Sequence, residues 1–528
     1  MSFYTWLDYR CEVRNALNRR VCQCKNKYIQ RAVNNMLDVN LAIEQEENYL
    51  WYKASPDYLM WFYTRGIVQN GLFNIMNQYL ARNWMGYYWT TSALEDGIKR
   101  THSGLPRQTI TFIDRALGDP MFKLEDKGQE KQLEEILKSN NALSTFSKQK
   151  RLDAVVGDGA FIVNIDSELS EHPILEYVDG RDCQFEFVGD KITGVIVFKR
   201  YEVNGEIYTC VERRTTERKK HLISKKLGKT LSIIEYALFR NDSERGFLEC
   251  PLNTIPQTEN LQPRNVYDLP FMLAIPCMRE IDDESKRGVS MFRGRLDIFD
   301  DLDQSLSMEA NTLRASTPVE YLDENSLEHD DDGKPVKPSV YGKQFVLYKG
   351  ATNYNEASKG ITTVFYNIDY TKLSVESQEN VSRALNGWIS PASFGFDVSR
   401  KDNALAQREK EKITIQTLKD YKEYLIPIYE DVAKCLLACD NLMENAKYQY
   451  EDIKVEVAFK DYATPTLSEK INTYKDAVKD GVMSVDRFIL ECYGDESEES
   501  QDKERKAINE ALKLQAKSKF DFNILEQE

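Results

Sequence analysis

The chain has 528 residues, room for roughly three or four ordinary domains. With 41% hydrophobic and 29% charged residues it has the balance of a folded globular protein rather than that of a disordered or membrane chain. No apolar run approaches the roughly 18 to 20 residues of a membrane-spanning helix, and a formal net charge of -15 argues against a protein that grips phosphates over a broad basic face, though not against DNA as a passing partner.

Met1 to Cys24 mixes aromatics with Arg10, Arg14, Arg19 and Arg20 and lacks the apolar stretch and small-residue cleavage site of a signal peptide, so neither export nor a membrane anchor is expected. Ten cysteines are scattered without a CxxC and only four histidines are present, which gives no support to a zinc site and fits a reducing cytosol. Cys435 and Cys439 fall at i, i+4 of an expected helix, where buried reduced thiols are the simple reading.

Residues 1 to about 95 read as helical and aromatic, with Tyr49-Leu-Trp-Tyr, Trp61-Phe-Tyr and Trp84-Met-Gly-Tyr-Tyr-Trp. Arginines and lysines do not interleave with these rings as a base-stacking surface would require, so core or subunit packing is expected. Leu105 to Gly118 predicts a helix stopped by glycine, a charged helix follows at 127–140, and Leu152 to Asp166 predicts a helix end turning through Gly157 and Gly159 into a strand. Two glycines without GxGxxG or a following GK[ST] are adequately explained by a tight turn.

Residues 175–280 alternate apolar and polar positions between turn signals and predict an antiparallel sheet. From Gly288 to Ser316, Phe292, Leu296, Phe299, Leu302, Leu306, Ala310 and Leu313 recur at spacings of three and four and draw one stripe along a helix. Asp297, Asp300, Asp301, Asp303 and Glu309 are placed on its other faces, an arrangement suited to packing against neighbouring copies.

Pro318 ends that helix. An excursion of about 50 residues holds the strand-like Val319-Glu-Tyr-Leu, Gln344-Phe-Val-Leu-Tyr and Val364-Phe-Tyr-Asn-Ile, and an acidic segment at Glu328 that lacks EF-hand spacing and reads as a solvated hairpin tip. A returning helix is expected at Tyr370 to Gly387, then a Pro/Gly/Ser/Asn loop from Trp388 to Asn403, then a long charged helix from Ala404 to about Lys447 kinked at Pro427, and a strand at Ile453 to Phe459. Beyond Pro465 lie small helices, with Ser484 as an N-cap after Gly481 and a last helix at Asp502 to about Lys517. No solenoid-period repeat is present.

This order resembles the portal family of tailed double-stranded-DNA bacteriophages, in its siphophage branch. The resemblance is carried by Gly157-Asp-Gly159-Ala-Phe, by Gly288-Val-Ser290 leading into Leu296-Asp-Ile-Phe-Asp-Asp-Leu-Asp-Gln-Ser, by the excursion and returning helix, and by Pro465-Thr-Leu-Ser-Glu-Lys-Ile followed by Gly481-Val-Met-Ser484. It covers most of the chain after the aromatic N-terminal hundred residues.

The resemblance implies an α+β portal fold: a wing at 1–287, a first stem helix at 288–317, a clip at 318–368, a second stem helix at 369–388, a tunnel loop at 389–403, a long wing helix and strand at 404–460, and a crown at 461–528. It implies a non-enzymatic ring of about twelve copies closed by a heterologous interface, with no cofactor, at the portal vertex of a virion assembled in the bacterial cytoplasm. Its partners would be the terminase large subunit, the head-tail connector, the major capsid and scaffolding proteins, and double-stranded DNA passing without sequence readout.

On that reading Phe292, Leu296, Phe299, Leu302 and Leu306 pack the stem. Asp297, Asp300, Asp301 and Asp303 could contribute to an acidic channel or form an ordinary solvated face. Phe394, Phe396, Arg400 and Lys401 could touch DNA, although the two phenylalanines could equally anchor the loop on the long helix. Two alternatives stand beside it: another capsid-associated structural protein, and a phosphoryl-transfer enzyme using the aspartates for magnesium, which no Walker lysine, histidine or nucleophile accompanies.

Overall fold

The computed structural model describes residues 39–68, 86–92, 98–220, 227–242, 246–315, 319–323, 344–348, 361–364, 370–395, 404–443, 453–459, 471, 474, 478, 483–493 and 501–510. The fold is α+β, in two compact units, Met1–Phe459 and Lys460–Glu528.

The first unit begins with α1 (Val39–Lys53), α2 (Pro56–Val68) and the single turn α3 (Tyr88–Thr91), followed by α4 (Leu105–Leu117), β1 (Pro120–Leu124), α5 (Lys127–Ser139) and α6 (Ala142–Val156). On α4 the buried Leu105, Thr109, Ile110, Ile113 and Leu117 make the inward stripe, and Gly118 ends the helix at φ 69°. In α5 only Gln129, Leu133 and Ile136 are buried, so its charged faces are solvated, and Asp126 caps it by accepting the Gly128 N–H at 2.7 Å.

After α6 come β2 (Asp158–Asn164), β3 (Ile174–Asp179), β4 (Cys183–Val188), β5 (Lys191–Val203), β6 (Glu206–Lys220), β7 (Leu227–Asp242), β8 (Gly246–Cys250), β9 (Arg264–Tyr267) and β10 (Ala274–Met278). Every pairing among them is antiparallel. The single sheet expected over 175–280 is instead two. Strand β2, from before that region, takes β10 and β3 as neighbours, and β4 to β9 form a six-stranded sheet of their own. β2 can sit between them because it is buried along almost its whole length. Ala160, Ile162, Cys183, Val195, Val197 and Ala274 join the two sheets in one core.

Next come α7 (Leu296–Ala315), β11 (Val319–Asp323), β12 (Gln344–Tyr348), β13 (Ile361–Val364), α8 (Tyr370–Leu385), α9 (Ala404–Met443) and β14 (Val455–Phe459). β11 is the middle strand, parallel to β12 and antiparallel to β13. The acidic segment at Glu328, expected as a solvated hairpin tip, lies within residues 324–343, outside the described set.

The 40-residue α9 carries Pro427 within it and lies on α6. Tyr429 donates to Gln149 Oε1 at 2.8 Å, Tyr421 donates to the Lys150 carbonyl at 3.0 Å, and the rings of Phe146 and Tyr429 sit 4.6 Å apart. Cys435 and Cys439 are buried free thiols on this helix, and β14 then pairs with β1.

The second unit contains α10 (Val485–Tyr493), which Ser484 caps by accepting the Arg487 N–H at 3.2 Å, as the sequence predicts. Phe488, Ile489 and Cys492 form its core with Ile471, Tyr474, Val478 and Ile508 packed around them.

Candidate functional site

Two glycine-bearing segments that look unrelated in sequence meet at the root of α7. Gly157, at φ 101°, turns α6 into β2, and only a residue without Cβ takes that conformation cheaply. Gly288 packs on that turn so closely that a Cβ there would lie 2.6 Å from the Gly157 carbonyl carbon and 2.7 Å from Asp158 Cβ.

Between them Asp158 is fully buried. Its carboxylate accepts from Arg287 Nε at 2.6 Å, Arg287 Nη2 at 2.9 Å, the Gly288 N–H at 3.0 Å and Gln45 Nε2 at 3.2 Å. A buried charge needs this complete a set of donors, since desolvation costs several kcal/mol per ion.

Ser290 then donates to the Val155 carbonyl at 2.5 Å and accepts the Phe292 N–H at 3.1 Å. The helix expected from Gly288 therefore starts at Leu296. Residues 288–290 are committed to α6 and β2, and Gly294, at φ 73°, makes the turn before the helix.

Helix α7 is held a second time by its own acids. Asp300 accepts the backbone N–H of Tyr88 at 2.6 Å and of Trp89 at 3.4 Å. Asp303 accepts from Trp89 Nε1 at 3.1 Å and the Ser103 N–H at 2.8 Å, and pairs with His102 Nδ1 at 2.5 Å. With 3% and 0% exposure these two aspartates fit neither of the readings left open for the four acids, an acidic channel lining or a solvated face. The donors come from residues 88–103 and turn what would be a penalty into an anchor. Asp297 and Asp301 remain exposed.

The seam divides in the same way. Phe292, Phe299 and Leu302 are buried in this chain's own core, where Phe299 meets Trp51 at 6.1 Å and Phe292 meets Trp388 at 6.3 Å between ring centroids. Leu296 and Leu306 are half-buried. Trp51 and Trp89 also pack on the His102 ring, so with Tyr63 and Tyr88 they serve as core, while Tyr49, Tyr52, Tyr58, Trp61, Phe62 and Tyr87 are half-buried.

α7 packs against α8, with Asn380 Nδ2 donating to Ser305 Oγ at 3.0 Å and Arg295 Nη1 to the Asn386 carbonyl at 2.8 Å. Past α8, the Ser390 N–H donates to Thr414 Oγ1 of α9 at 2.8 Å, and the Phe394 ring lies 5.1 Å from that of Phe112 on α4. Phe396, Arg400 and Lys401 lie outside the described residues.

Burial pushes the Asp300 carboxyl up from 3.8 to about 7, partly offset by the Tyr88 and Trp89 N–H groups and reinforced by Asp303 and Asp301. Between about pH 4 and pH 7 the folded protein then keeps a proton that the unfolded chain has lost. This contribution to stability is complete below the unfolded value and is lost as pH rises through the folded one, by up to about 4 kcal/mol for a three-unit difference. Burial also raises Glu47 and Asp153 to about 7, with the same sign. Asp300→Asn is therefore expected to flatten the fall of thermal midpoint between pH 5 and pH 8; parallel profiles for the two proteins would show that Asp300 does not carry the proton.

Nothing in the local pattern signalled the Asp158 junction or the Asp300 and Asp303 anchors. The one available hint was that Asp300 and Asp303 sit four residues after Leu296 and Phe299, beside the apolar stripe.

No family model matches the chain, and no curated protein matches it. Among solved structures it is similar to a chain of the neck of the native GTA particle computed with C12 symmetry, at 12% identity over 73% of this chain and 88% of that one, with a TM-score of 0.33. It is likewise similar to a chain of the virion of the native gene transfer agent (GTA) particle, at 10% identity over 72% and 87% with a TM-score of 0.35. A third is a chain of the neck of the empty GTA particle computed with C6 symmetry, at 11% identity over 72% and 87% with a TM-score of 0.35.

Proposed function

We propose that the chain is a structural subunit of a phage-like particle and, within it, the portal: a ring subunit around a channel through which double-stranded DNA is packaged and released. The observation that carries this reading is the succession of α7, a three-stranded sheet, α8, a short turned segment and the 40-residue α9, rooted in a rigid α+β body through Asp158. At 1.5 Å per residue α7 spans about 30 Å, enough for one layer of a channel wall.

In this reading 1–287 is the wing, α7 and α8 the stem, the sheet of β11 to β13 the clip that meets the terminase large subunit and later the head-tail connector, residues 389–403 the tunnel loop, and 461–528 the crown. The exposed Asp297 and Asp301 are the acids left to face DNA, which favours sliding because few phosphate contacts have to be broken. Leu296 and Leu306, with the exposed Met308 and Leu313, are left to meet the next copy. Against the rival magnesium reading, two of its four acids, Asp300 and Asp303, are engaged by N–H donors and the His102 ring, which favours the structural role.

Native mass spectrometry of the purified chain tests the proposal. A closed ring of about twelve subunits is expected for a heterologous interface that closes; a monomer at high concentration would contradict it and direct attention to nucleotide hydrolysis.

A further inference from the structure

Strand β3 lies at the edge of its sheet, beside β2. Its outward side is marked by what reaches it: the Leu175 N–H donates to Asn140 Oδ1 at 2.8 Å, and the Tyr177 carbonyl accepts from Lys148 Nζ at 2.9 Å. In an antiparallel strand the N–H and C=O of one residue point the same way, so the Tyr177 N–H also faces away from β2. A second edge is formed by β5. β4 pairs with it only as far as Cys183 opposite Val197, and the Phe198 N–H donates to the Asp182 carbonyl at 2.9 Å. Beyond that point β5 runs on to Val203 with β6 as its described strand neighbour.

Both edges line one cavity of about 530 Å³, through Tyr177 to Asp179 of β3 and Val197 to Tyr201 of β5. Ligand sites occupy about 300–1,000 Å³, so the space is adequate for a bound segment. The acids along it already have cations in this chain: Arg181 holds Asp179 through two bonds of 3.0 Å, and Arg200 lies 3.7 Å from Asp182. Lys199 is committed to Glu176 at 3.0 Å. Lys148, exposed on α6, instead donates to the neutral Tyr177 carbonyl.

We propose that this slot binds an extended acidic peptide segment of a partner protein, which adds a strand along the outward edge of β3 and sets a carboxylate against Lys148. The inference holds whether or not the chain forms a ring. In such strand addition main-chain hydrogen bonds give affinity and alternate side chains give specificity. Lys148 then has two effects. A lysine on a strand edge blocks unselective pairing, here by occupying the Tyr177 carbonyl. A partner carboxylate draws the ammonium off that carbonyl, and a peptide N–H takes its place. A basic strand has no such means of opening the edge.

Fluorescence polarisation of the full chain with a labelled hexapeptide of alternating valine and glutamate tests this. It is compared with a valine–lysine hexapeptide and with a valine–glutamate one carrying proline at its third position, which removes an N–H donor. The acidic peptide is expected to bind, and the other two to bind at least about tenfold more weakly. Lys148→Glu should weaken the acidic peptide about tenfold and strengthen the basic one, whereas Lys138→Glu, at an exposed position of α5, should leave both at parental affinity. Hydrogen exchange across residues 174–179 should slow when the acidic peptide is added. No binding of the acidic peptide, equal binding of the proline peptide, or no effect of Lys148→Glu would each overturn the proposal. Exchange at 174–179 already as slow as in β2 without peptide would also overturn it, by showing that this chain or a neighbouring copy fills the edge.

Discussion

Asp158→Ala is expected to cost about 3–5 kcal/mol and to loosen α7 from the body of the first unit, because it strands the Arg287 guanidinium at a buried site and leaves the Gly288 N–H and the Gln45 amide without their acceptor. The guanidinium keeps the carbonyls of Gly180 and Cys183, at 3.0 and 3.3 Å, and the Phe185 ring, and these neutral partners do not replace the carboxylate. Hydrogen exchange should show lost protection at the start of α7 and at the turn of α6 into β2, where Gly157 and Gly288 rely on their close approach. Asp158→Ala/Arg287→Met should be milder than Asp158→Ala alone, since removing both charges also removes the uncompensated one. A double mutant as unstable as the single would show that packing, not charge pairing, holds the junction.

Asp303→Ala is expected to cost a similar amount, about 3–5 kcal/mol, by leaving Trp89 Nε1, the Ser103 N–H and the His102 ring without their common partner at a fully buried position. Asp303→Asn keeps one oxygen acceptor and should fall between the parent and Asp303→Ala. The effect has to be read at fixed protein concentration, because assembly of copies raises apparent stability by mass action. If Asp303→Ala unfolds at the parental denaturant midpoint, the hydrogen bonds to Asp303 add nothing to the hold of residues 88–103 on α7, and Asp300 with the aromatic core carries it.

Both changes act on contacts that local sequence patterns do not show. The elements were legible: Leu105 to Gly118 announced α4 and its stop, Ser484 announced the cap of α10, and the alternation after 175 announced antiparallel strands. These signals depend on residues a few positions apart. Asp158 and Arg287 are 129 residues apart, and Asp303 meets donors about 200 residues before it. Periodicity carries no information at that range.

The same limit explains the misplacement of Asp300 and Asp303. A charge run is ordinarily a solvated face, and only the fold shows that residues 88–103 bring backbone and indole N–H groups to these carboxylates. It also explains the divided sheet, because alternation identifies strands but not their neighbours, and β2 lies before the region that alternates. Of the candidate channel residues, Phe394 contacts Phe112, while the DNA-facing role of the loop depends on Phe396, Arg400 and Lys401, outside the described residues.

In the proposed portal, α7 and α8 of many copies surround a channel. An electron cryomicroscopy map of the purified assembly tests it most directly. The expected map shows a closed ring whose central hole is bordered by α7 and α8, with Asp297 and Asp301 toward the lumen and the body built on β2 to β10 outside. A ring with these helices on its outer rim, or particles without a hole, would contradict it.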